Sequence, residues 1–131
     1  MSGMSDYLES KLDGWLQGTA PGASPAGQYA RLWNGDPTDS GGAGAEVTAT
    51  IRPAGGVAIT FGAYSNGVRS NSSVVDFGNA AGGATVTHIG VWDAATAGNM
   101  LFSAPVSGGT QTVAAGASVT FPIGSIVRTL D

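Results

Sequence analysis

Cysteine is absent from the 131 residues, which excludes disulfides and thiolate metal sites together. Charge is scarce: only 11% of residues are Asp, Glu, Lys or Arg, against about 25% in an ordinary soluble domain. The five basic residues, Lys11, Arg31, Arg52, Arg69 and Arg128, are scattered and form no run. Nucleic-acid binding needs a concentrated positive footprint, so it is not expected. No apolar run approaches the ~20 residues that span a bilayer. Nor does a basic start lead into an apolar run, as a signal peptide would require. These absences predict a soluble chain made without an export signal, partnered by neither nucleic acid nor membrane.

What is present is glycine, 22 residues, within a chain that is 42% hydrophobic and carries a net charge of −4. Disordered chains are poor in Val, Ile and Phe, and here these are evenly spread. The composition therefore reads as a β protein with many tight turns and a surface partly covered by neighbours. The length suits one domain with a real core.

Residues 5–17, SDYLESKLDGWLQ, carry the one clear helical pattern. Leu8, Leu12, Trp15 and Leu16 fall at i, i+4, i+7 and i+8, one face of a 3.6-residue period. Ser5 or Asp6 can cap its start, Asp6 and Glu9 suit the positive end of its dipole, and Gly18 is a natural stop. A helix this short is marginal alone in water, so its stripe must dock on something. The expected organisation is a helical arm over 1–18, a Gly/Pro/Ala linker over 19–27 and a β domain over 28–131.

Strands are predicted at 28–33, 46–52, 57–61, 73–77, 84–92, 99–104, 110–113, 117–121 and 125–130, separated by Gly/Pro/Asn-rich breakers. Asn66-Gly67 reads as a two-residue hairpin turn. TVTHIGVW and NMLFS, either side of a loop of Asp, Ala, Thr and Gly, read as a longer-looped hairpin. Many short, turn-bounded strands predict a mainly β fold, an antiparallel β-sandwich or barrel with one short N-terminal amphipathic helix.

The chemistry-bearing residues are isolated. Asp36 and Asp39, with Glu46 further on, could offer oxygen ligands to Ca²⁺, but they lack EF-hand spacing, and Asp-Pro is an ordinary turn opening. His88, the one histidine, lacks a nucleophile elbow or other catalytic frame. Asp76 and Asp93 could be a carboxylate pair, yet each sits where Asp commonly closes a turn. Gly41-Gly42-Ala43-Gly44 lacks the Lys-Ser/Thr of a phosphate loop. Trp15, Trp33 and Trp92, with Tyr7, Tyr29 and Tyr64, could form a sugar-stacking platform but read better as core and subunit contacts. No catalytic residue, metal or cofactor is expected. The interface candidates are Leu8, Leu12, Trp15, Leu16, Trp33 and Trp92.

In order along the chain come MSDYLESKLDGWL, YARLWNGDPTD, FGAYSNGVRSNSSVVDF, GATVTHIGVWDAATAGNMLFSAPV and TVAAGASVTFPIGSIVRTLD. Together they resemble a family of small tailed-phage virion proteins, often labelled phage tail fibre or Gp80-like. The resemblance covers nearly the whole chain and implies a non-enzymatic virion component. It also implies assembly in the host bacterial cytoplasm, with the major capsid protein or tail proteins of the same virion as partners. The sequence has no coiled-coil shaft and no repeat array. On that ground a capsid cement or decoration protein, a homo-oligomer with the trimer as a common form, ranks ahead of a tail-fibre or receptor-binding component.

Overall fold

The computed structural model describes residues 3–129. In chain order the elements are β1 (Gly3–Met4), α1 (Asp6–Leu16), β2 (Tyr29–Asn34), β3 (Ala45–Glu46), α2 (Thr48–Ile51), β4 (Val57–Ala58), β5 (Val68–Ser70), β6 (Val75–Asn79), β7 (Ala84–Val86), β8 (His88–Trp92), β9 (Met100–Pro105), β10 (Gln111–Val113), β11 (Ser118–Phe121) and β12 (Val127–Thr129). The main sheet runs β1-β9-β8-β2-β3, with β4 also on β2, and its two free edges leave it open. The ladders β7–β10, β6–β11 and β5–β12 complete a sandwich-like arrangement that is not a closed barrel. Every pairing is antiparallel.

Strand alternation explains where the core sits. Leu32, Ile89, Val91 and Phe102 project from the main sheet into one buried cluster with Val75, Phe77, Val86, Val119 and Ile126 from the ladders. Trp33, Trp92 and Met100 form a second buried cluster. The 35–44 loop closes on it: a Cβ built on Gly41, whose φ is +73°, would lie 3.2 Å from Met100 Cβ and 3.5 Å from the Trp92 ring.

The β8–β9 hairpin forms as its sequence predicts, from His88↔Pro105 to Val91↔Phe102, with a register shift before Trp92. The Asn66-Gly67 turn also forms. Both residues have positive φ, 50° and 82°, and Ser65 and Val68 exchange backbone hydrogen bonds of 3.0 and 2.9 Å, the pattern of a two-residue primed turn.

Two expectations need correction. Residues 46–52 are not one strand. The Thr48 hydroxyl accepts the Leu32 N–H at 2.9 Å and takes the place of the next ladder rung. The chain then curls into α2, burying Ile51 to 1% exposure; burial there overrides β propensity. Residues 84–92 are two strands that break at Thr87, where the chain passes from the β10 ladder to the main sheet. At that corner the Thr87 hydroxyl accepts from Gly35 N at 2.6 Å. The short β1 and β5 were not expected. The final strand ends at Thr129, and Leu130 lies outside the described residues.

Ser5, in extended backbone, is the helix cap, its Oγ accepting from Leu8 N at 3.1 Å. The helix closes on Gly18, φ +92°. Gly18 N donates to Trp15 O at 3.1 Å and Thr19 N to Gly14 O at 2.8 Å, a Schellman pair.

Gly90 is the tightest position in the main sheet. A Cβ there would lie 2.8 Å from Trp92 Nε1 and 3.1 Å from Trp33 Nε1. Gly90→Ala is expected to cost ~1–3 kcal/mol through overpacking. Thermal unfolding and the near-ultraviolet dichroism of the tryptophans read that loss; an unchanged midpoint would refute the packing account.

Candidate interaction surface and the clamp behind it

Arg31 lies at the centre of β2 and is only 5% exposed. Its Nε and Nη2 donate to Glu46 Oε2 and Oε1 at 2.7 and 2.6 Å, a two-point fork. Its Nη1 donates to the Ala97 carbonyl at 2.6 Å. The guanidinium carbon sits 4.0 Å from the Trp92 ring centroid, and Trp92 stacks on Trp33 at 5.9 Å and 11°. One side chain thus ties β2 to β3, to the β8–β9 loop and to the tryptophan pair.

Burial pushes the Glu46 carboxyl up. Hydrogen bonds from Arg31 and from Thr48 Oγ1 at 2.7 Å, with the Arg31 charge, outweigh that and hold it below its usual value. Glu46, grouped with Asp36 and Asp39 as an oxygen donor in the sequence, is therefore committed to Arg31.

The remaining chemistry-bearing residues take local roles. Asp36 Oδ1 accepts from Thr38 N at 2.8 Å within its own turn. Asp76 Oδ1 accepts from Gly78 N at 2.7 Å, and Asp93 Oδ1 closes the β8–β9 loop on Asn99 N at 2.7 Å. His88 Nδ1 meets Thr87 Oγ1 at 2.9 Å. Asp36, Asp39, His88 and Ser103 do line one open cavity of about 460 Å³. Among the described residues no three His, Cys, Asp or Glu side chains come together as metal ligands.

The six interface candidates divide by depth. Trp33 and Trp92 are buried at 6% and 9% exposure, their indole N–H groups without hydrogen-bond partners. Leu8 is half-buried against the core. Leu12, Trp15 and Leu16 are 43%, 62% and 72% exposed.

The helix that carries them is held at its start. β1 pairs with β9, the Ser5 hydroxyl donates to the Met100 carbonyl, Ser5 N donates to Leu101 O at 3.0 Å, and Asp6 N to Asp39 O at 2.8 Å. Between α1 and the exposed segment 21–26 runs a groove of about 630 Å³, with Tyr7, Leu8, Leu12 and Leu101 on its walls. Sequence periodicity found the apolar stripe. It did not reveal that only the Leu8 end docks, because docking depends on the backbone bonds of Ser5 and Asp6.

Residues 3–129 match the model of a family described as Podophage GP4 fiber I protein gp80. The chain belongs to the Gp80 family. It is thus a member of a family of phage virion structural proteins, and its place is in the virion with other virion components. No curated protein matches the sequence.

The clamp carries a pH signature in this Gp80 member. Because the folded Glu46 value is depressed, its contribution is complete above the ordinary carboxylate value of 4.5 and is lost as pH falls through the folded value. Wild type should therefore lose stability toward acid more steeply than Glu46→Gln, read as denaturation midpoints between neutral pH and pH ~3. Parallel acid limbs would refute this. Glu46→Ala removes the fork from the buried Arg31 guanidinium; because the Glu46 side chain is 29% exposed, water can take part of its place, and the cost at neutral pH should be ~1.5–3 kcal/mol.

Proposed function

We propose that the protein is a non-enzymatic structural subunit of the phage particle that attaches to neighbouring virion subunits through the outward face of α1. The observation that carries this reading is the exposure of Leu12, Trp15 and Leu16 together on a helix whose start is bonded to the main sheet. Large exposed apolar side chains grouped on one element mark an interaction site, and a Trp among them supplies the anchor that such sites favour. The arm 1–18 and the linker 19–27 then serve as the attachment device, and the β domain 28–131 is the body that it holds in place. Contacts of modest strength, repeated by the symmetry of a particle, add up through avidity.

The family description, a fibre protein, favours placement in a tail fibre or its attachment. A second reading, capsid cement or decoration, is favoured by the body itself. Its main sheet and three ladders share one core, and among the described residues no shaft or repeat array extends it.

The triple variant Leu12→Gln, Trp15→Gln, Leu16→Gln tests the attachment face with polar residues that keep helix propensity and add no charge. These side chains are exposed, so far-ultraviolet dichroism and melting should stay close to wild type. Incorporation into particles, in a phage lacking its own copy of the gene, should fall about tenfold or more. Wild-type incorporation of a folded triple variant would remove α1 from the mechanism. Copies per particle, counted by quantitative mass spectrometry, separate the two placements: hundreds indicate the capsid, a few to a few dozen the tail.

A further inference from the structure

Two self-repelling pairs of opposite sign lie on this chain. On α1, Glu9, Leu12, Asp13 and Leu16 are all exposed and follow the i, i+3, i+4, i+7 spacing of a single face. Glu9 and Asp13 are like charges one turn apart, ~5–6 Å between Cβ atoms, a mildly destabilising arrangement. Lys11, two residues from each, does not face either of them and lies 5.5 Å from the Tyr7 ring.

On the β5–β12 ladder, Arg69 and Arg128 stand directly opposite each other. Opposed residues in an antiparallel ladder have Cα atoms ~4.5–5.5 Å apart, and like charges there are again destabilising. Arg128 is held over the Phe61 and Phe102 rings at 4.4 and 4.9 Å and donates to Gln28 Oε1 at 3.0 Å. Arg69 donates to the Gly62 carbonyl at 2.6 Å and lies 5.9 Å from the ring of Tyr64, itself 58% exposed. Among the described residues the ion pair is Arg31–Glu46, and neither Arg69 nor Arg128 meets a carboxylate. Burial, and then the Arg69 charge, lower the Arg128 pKa from its ordinary value.

We propose that the outward face of α1 on one copy docks on the Arg69–Arg128 pair of a second copy, Glu9 and Asp13 meeting the two guanidiniums while Leu12 and Leu16, with Trp15 beside them, cover Tyr64. The inference rests on α1 being the attachment face and names its partner. Charge complementarity carries it. Each pair sets two like charges on neighbouring positions, one turn apart on α1 and across one rung of the β5–β12 ladder, where both arginines are half-buried, so one contact replaces two repulsions by two charge-assisted attractions. The apolar side chains supply affinity, and the charges set register and exclude wrong partners. The two surfaces differ, so the contact is heterologous and either closes into a ring or continues from copy to copy.

Sedimentation velocity on the purified full chain tests this. Wild type should associate reversibly as concentration rises to about 200 µM and dissociate as salt rises to about 0.5 M. E9K/D13K, altered only at exposed positions, should be monomeric with unchanged dichroism, and R69E, which spares the Arg128 packing, should weaken association about tenfold or more. Mixing R69E with E9K/D13K should restore a complex, because the acidic helix of the first meets the intact arginine pair of the second. A wild type that stays monomeric, association indifferent to either substitution, or a mixture that stays apart would each overturn the proposal. Self-docking alone fails if a monomeric wild type still enters particles in an α1-dependent way. The attachment reading fails instead if the α1 triple variant enters particles normally.

Discussion

The fork between Arg31 and Glu46 is the interaction on which the arrangement of this chain depends. Buried ion pairs are weak evidence for net stability, because desolvation offsets much of their attraction. Their firmer contribution is to specificity. Here a one-residue slip of β2 would carry Arg31 to the face where Leu32, Ile89 and Val91 are packed. A guanidinium there would be buried among side chains that offer no acceptor. The pair thus penalises wrong registers of the central strand, and the register of β2 determines that of β8, β3 and β4, which pair with it directly.

The same residue explains how the second face of the main sheet is finished. Trp92 packs against both the Arg31 guanidinium and the Trp33 ring, and Gly90 is bare so that both indoles can lie over the strand. The 35–44 loop then packs its own glycine on the tryptophan. Low overall charge is consistent with this construction: both sheet faces are covered from within, and among the exposed large apolar side chains those of α1, Leu12, Trp15 and Leu16, are grouped on one helix, whereas Tyr64, Val74 and Ile123 lie apart from them on loops. A packed body with exposed apolar side chains grouped on its helix suits the proposed role of α1 as the attachment element of a virion subunit.

Much of this was legible in the sequence, for identifiable reasons. The helix, the β8–β9 hairpin and the Asn66-Gly67 turn are local features, written in periodicity and in residues that accept positive φ. Residues 46–52 misled because Thr, Val and Ile favour strands. What bends them is a hydroxyl meeting the backbone of Leu32, a contact with no local trace. Thr87 looks like any strand threonine until the two sheets that it joins are known. For the candidate surface, the Leu/Trp stripe was visible, but its division into a docked end at Leu8 and a free end at Trp15 and Leu16 was not. The Arg69–Arg128 pair escaped notice because the residues lie far apart in sequence and are opposed only through strand pairing.

The bonds of Ser5 to Met100 and Leu101 span about three-quarters of the chain, 95 residues in the first case. Contacts of such sequence separation form late, since the loop that they close must be ordered first. During synthesis the N-terminal residues emerge long before β9 exists to receive them. Within this chain α1 is made before β9 and can be seated only after it. Its apolar end therefore acquires a defined direction only once the body is complete, so a half-made chain has no correctly aimed arm to offer a growing particle.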